Sequence, residues 1–105
     1  MDTINFALHS QNNQQIGFLL MSSDNIEPQS GICLFRAMVS DEGLINSLEY
    51  KKTEHLQNLG ELLWQFDGQH TLILDQNNQP LAKIQAQHLI IEGITMQLID
   101  LAGMI

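Results

Sequence analysis

Cationic side chains are scarce in this chain. Its 105 residues carry 4 Lys and Arg against 12 Asp and Glu, a formal charge of 4 − 12 = −8 at neutral pH and a pI near 4.6. Phosphate backbones and anionic lipid surfaces are held by clustered Lys and Arg, so neither nucleic acid nor a membrane surface is expected as a partner. Cysteine occurs once, at Cys33, which excludes an intrachain disulfide. Within Gly31-Ile32-Cys33-Leu34-Phe35 it reads as a buried structural thiol on a strand. No apolar run approaches the roughly 20 residues that span a bilayer. Even the apolar C-terminal third is interrupted by Glu92, Gln97 and Asp100. The opening residues 1–6 lack the basic stretch and unbroken apolar core of a secretory signal, so a cytoplasmic location is expected.

Signatures of chemistry are missing as well. His9, His55, His70 and His88 do not stand at zinc-box spacing, no nucleophile-elbow sequence surrounds a serine, and no glycine-rich loop precedes a helix to cradle phosphate. Glu54-His55 are sequence neighbours and point apart on a helix, so they read as a solvated face. His70 could pair with Asp67 or Asp75, most simply as surface polar pairing. The expectation is therefore a protein without enzymatic activity, cofactor or metal. Trp64 reads as a core residue of a small domain, with an exposed partner anchor as the alternative.

What is present is a succession of short apolar segments separated by polar turns, in a length suited to one domain, residues 1–105. Gln and Asn supply 20 residues, spread through the chain and concentrated in turns rather than in a low-complexity tract. Phe6, Leu8, Ile16, Phe18 and Leu20 alternate around Ser10-Gln11-Asn12-Asn13-Gln14, the pattern of two strands and a hairpin turn in which Asn tolerates a left-handed backbone. A polar loop over 24–31 and a strand from Ile32 to Val39 follow. Ser40-Asp41-Glu42-Gly43 fits a hairpin turn or an acidic helix start, and the hairpin is favoured because glycine is costly in a first helical turn. One amphipathic helix is expected near 53–66, capped by Thr53, with Leu56, Leu59, Leu63 and Phe66 at helical spacing and Asp67-Gly68 as its stop; residues 44–50 remain open between strand and helix. Thr71–Leu74 and Leu81–Ala86 flank a second Gln-Asn-Asn-Gln turn at 76–79, and His88–Ile91 and Ile94–Leu101 are further strands. The fold class is thus α+β, mainly antiparallel, with about seven or eight short strands in a sandwich or curved sheet, since connections this short cannot make parallel crossovers.

The acidic excess is the main functional clue. Asp24 and Glu27 share the long loop, and Asp41 and Glu42 share a turn. Such groups either solubilise the surface or converge on a basic partner, whose encounter they accelerate. In overall profile, though not in any motif, the chain resembles the small acidic immunity proteins of bacterial contact-dependent inhibition and other polymorphic toxin systems. That resemblance implies a cognate inhibitor that covers the active site of a basic toxin, often a nuclease, with Asp24, Glu27, Asp41 and Glu42 as the partner-binding residues. The alternatives are an acidic secretion chaperone that binds an effector segment, or a small structural or assembly subunit. Sequence leaves the oligomeric state open.

Overall fold

A computed structural model describes residues 2–23 and 30–101. Apolar alternation decides the architecture: eight strands each turn one side inward, and the sheet closes on itself rather than splitting into the two layers of a sandwich. The strands are β1 (Asp2–His9), β2 (Gln15–Ser23), β3 (Ser30–Ala37), β4 (Leu62–Phe66), β5 (Thr71–Leu74), β6 (Pro80–Gln85), β7 (His88–Ile91) and β8 (Ile94–Asp100). Each pairs antiparallel with the next, and β8 returns to β1 through Phe6↔Asp100 to His9↔Gln97. Closure leaves the barrel no first or last strand.

The interior is filled. Leu8, Leu19, Cys33, Leu62, Ile73, Leu89 and Met96 are each at most 1% exposed, and an eight-stranded barrel is just wide enough for side chains of this size. Trp64 belongs to this core on β4, its indole N–H donating to the Ser22 carbonyl at 2.9 Å. Burial pushes the Cys33 thiol up to about 12, which keeps it protonated and unreactive at neutral pH.

Because the strands run alternately up and down, the β1–β2, β3–β4, β5–β6 and β7–β8 connections share one end of the barrel. The β4–β5 and β6–β7 turns lie at the other end, together with Ser23 and Ser30. Residues 38–61, between β3 and β4, hold the helical content: a short 3-10 helix, Glu42–Asn46, and α1 (Leu48–Asn58). This corrects the expected helix near 53–66. Ser47 rather than Thr53 is the N-cap, accepting from the Tyr50 N–H. Thr53 sits fully buried in mid-helix, its hydroxyl donating back to the Glu49 carbonyl at 2.9 Å. The stop is Gly60, at φ 79°, whose N–H returns to the Gln57 carbonyl at 3.0 Å. The chain then enters β4, so Leu63 and Phe66 belong to a strand and Leu59 is 43% exposed. Ser40–Gly43 takes the helical alternative: Asp41 caps the 3-10 helix through the Gly43 N–H at 2.9 Å, and residues 44–50 are helical apart from the Ser47 junction.

Candidate protein-binding surface

α1 lies across one mouth of the barrel, and its seat is set by small residues. At Gly17 on β2, a Cβ would meet the Arg36 carbonyl oxygen at 2.4 Å and the Thr53 Cγ2 at 2.9 Å. Only glycine on the strand and a compact residue on the helix allow so close an approach. Leu56 then enters the core at 2% exposure, and the Thr53 hydroxyl reaches the Met96 sulfur at 3.7 Å on β8. Burying a leucine side chain contributes about 1.5–3 kcal/mol. Lys52 forms an ion pair with Glu92 of the β7–β8 turn, and that hydrogen bond and charge hold the Glu92 carboxyl below its ordinary range. The pair is exposed on the Glu92 side and serves orientation more than stability.

The connections at this capped end carry most of the negative charge. Asp41 and Glu42 open the 3-10 helix, Glu49 and Glu54 lie on α1, and Glu61 precedes β4. Asp75 in the β5–β6 turn and Glu92 in the β7–β8 turn lie at the same end, against only Lys51 and Lys52 in the same connections. Among these acids stand apolar side chains in solvent: Ile45 is 47% and Leu48 55% exposed. Carboxylates and exposed aliphatic groups at one end combine a negative field with apolar area open to solvent.

Of the four residues expected to meet a partner, Asp41 and Glu42 fall at this end and are exposed. Asp24 and Glu27 lie outside the described residues, and the residues flanking them, Ser23 and Ser30, are at the opposite end of the barrel. The structure therefore brings Asp41 and Glu42 together with Glu49, Glu54, Glu61, Asp75 and Glu92, a grouping that spacing along the chain could not reveal. Ile45 and Leu48 were also missed, because the segment holding them was left open between strand and helix.

The histidines show surface roles. The ring Nδ1 of His9 lies 3.1 Å from the Asn13 Oδ1. His70 meets Asp67 chiefly through its backbone: the Asp67 carboxylate accepts from the N–H groups of His70 at 2.7 Å and Gln69 at 2.9 Å. Those two bonds hold the Asp67 carboxyl below its ordinary range. Among the described residues no three His, Cys, Asp or Glu side chains gather within reach of a metal ion. No helix among them is long and apolar enough to cross a membrane.

Fold and surface together define a small, solid antiparallel β-barrel whose helix-capped end is acidic. A family model described as HLGFF-containing, Neisseriales, matches residues 3–105, so the chain belongs to that family. The five-letter string of that description does not itself occur in the sequence, and the description states no activity. No curated protein and no solved structure matches the chain significantly.

Proposed function

We propose that this protein is a cytoplasmic binding protein of the immunity type, which docks the acidic capped end of its barrel on a basic bacterial toxin and covers the toxin's active site. The observation that carries this reading is the concentration of carboxylates, with exposed Ile45 and Leu48, in the connections at one end of the molecule. Long-range attraction raises the encounter rate, and the aliphatic groups supply the contact that slows dissociation. A filled interior favours surface binding over capture of a small molecule. Such an interface buries roughly 1,200–2,000 Å² in total.

The test begins with capture of the partner from the producing cell by the tagged protein. Association kinetics of the purified pair are then measured at low and high salt. Asp41→Lys with Glu42→Lys should slow association, and the effect should shrink as salt shortens the Debye length below its physiological value of about 8 Å. Asp24→Lys with Glu27→Lys provides the second arm. Equal slowing by both pairs means that net charge alone steers the partner; slowing by Asp41 and Glu42 only places contact at the capped end. Salt-independent association, or unchanged rates in both arms, overturns the reading.

A further inference from the structure

One stretch of strand edge survives the closure of the barrel. The β3–β4 ladder runs only from Ser30↔Gln65 to Cys33↔Leu62, whereas β3 continues to Ala37. The Met38 N–H bonds the Ile16 carbonyl of β2, so by alternation the amides of Ala37 and Phe35 face the other way, toward β4. Continuing the register would set Phe35 opposite Gly60. There, however, the chain is still closing α1, with the Gly60 N–H committed to Gln57. Ala37 meets a substitute: its N–H donates to the side-chain amide oxygen of Gln57 at 2.7 Å, in the manner of a strand carbonyl. Phe35 has no strand opposite its N–H and C=O. The edge borders an open notch of about 540 Å³, whose outer wall is formed by Leu20, Leu34, Arg36 and Met38. Leu34 is 46% and Met38 48% exposed. Arg36, the single arginine of the chain, makes no ion pair among the described residues.

The geometry points to a strand-addition site: an extended segment of another protein, with a carboxylate between apolar side chains, pairs with β3 along Phe35–Ala37 and sets its carboxylate against Arg36. Main-chain bonds to Phe35 and Ala37 provide the affinity of such an arrangement, and the side chains provide the selection. Leu34 on β3 and Met38 just beyond it receive the apolar groups, and the segment's inward residues must be small where they face α1. Displacing Gln57 frees the Ala37 amide, and the incoming carbonyl replaces the bond lost. Phe35 is 3% exposed, so the end of α1 that packs on β3 must also move aside before the Phe35 N–H and C=O can pair. A second copy of this chain is a poor occupant, because antiparallel pairing about Phe35 would bring two Arg36 side chains near each other and join two bodies of charge −8. This surface borders the acidic capped end through Met38 and Gln57, and its selection rests on Arg36 and the β3 edge rather than on the carboxylates.

The probe is the pentapeptide acetyl-Val-Ser-Glu-Ser-Val-amide, followed by backbone NMR shifts and amide exchange of the full chain. Saturable shifts at Leu34 to Ala37 are expected, with slowed exchange at Phe35. The analogue with Lys in place of Glu should bind about fivefold more weakly, the size of one exposed ion pair. Arg36→Glu, a surface change that should leave the melting temperature unaltered, should reverse that order. N-methylation of the peptide backbone should abolish protection of Phe35. Absence of saturable shifts at the edge, equal binding of the Glu and Lys peptides, or protection that grows with protein concentration without peptide overturns the inference, the last in favour of pairing between copies.

Discussion

The two Gln-Asn-Asn-Gln turns and the connection from 38 to 61 lie at the same end of the barrel and were built by different rules. In the turns, one tetrad gives one structure twice. Asn13 and Asn78 both take φ near 63°, and the Ser10 and Asp75 N–H groups each donate to the carbonyl four positions on while their own carbonyls accept from the N–H three positions on. Ser10 Oγ accepts from Asn12 and Gln14, and Asp75 Oδ1 accepts from Asn77 and Gln79. The flanking strands match as well, with a register shift at Leu8/His9 in one and Ile73/Leu74 in the other. Serine holds the first site because Ser10 is only 3% exposed, where a carboxylate would be desolvated; the second is open enough for aspartate. The bonds that shape these two turn backbones are local, and the longer-range bonds of Gln11 to the Thr95 carbonyl and Gln76 to the Glu61 carbonyl only tie them to their neighbours. The connection from 38 to 61 instead depends on Gly17, Met96 and Glu92, which lie far away in sequence.

The sharpest way to break the contrast is to remove what anchors the helix. Leu56→Ala should destabilise the protein by about 2–4 kcal/mol, since it leaves a cavity under α1 that the barrel rim cannot fill. Leu59→Ala, three residues on and 43% exposed, should stay within about 0.5 kcal/mol. Denaturant midpoints of the two variants check this. Equal losses would mean that α1 presents a different face to the core.

Leu56, Leu59, Leu63 and Phe66 also explain why the strands were legible and the helix was displaced. Their spacing fits one helical stripe, yet Leu62, Trp64 and Phe66 alternate equally well as one face of β4, so periodicity alone could not divide the segment. Gly60 carried the decisive signal, a helix stop ahead of the strand. Gly43 does not exclude helix, because Asp41 caps a short 3-10 turn that ends at Ser47, where α1 begins with its own cap. As for the candidate surface, scarcity of cations could have directed attention to Arg36, which follows Ile32 and Leu34 on the outward side of β3. The gathering of acids at one end came from the up-and-down topology and was not written in any local pattern.

A second prediction probes how closely the helix and wall approach. Gly17→Ala inserts a methyl group against the Arg36 carbonyl and the Thr53 methyl, so β3 or α1 must shift, at about 1–3 kcal/mol. Pairing it with Thr53→Ser, which removes Thr53 Cγ2, should recover the part of that loss due to the helix and leave the part due to the β3 backbone. A thermal-melt double-mutant cycle separates the two. No recovery would assign the whole cost to β3.

The smallest effect tests the turns against each other. Asn13→Ala and Asn78→Ala each place a Cβ with less local compensation in a left-handed conformation, and each should cost about 1 kcal/mol. Asn78→Gly should restore stability to near the parent value, because glycine accepts that backbone without strain. Asn13→Gly should fall short of full recovery, since it also removes the carbonyl that lies 3.1 Å from the His9 ring. Two glycine variants of unequal stability would thus show that the turns share a backbone solution and differ in one side-chain contact. Identical stabilities would mean that the His9 contact contributes nothing and that the tetrad is energetically the same in both places.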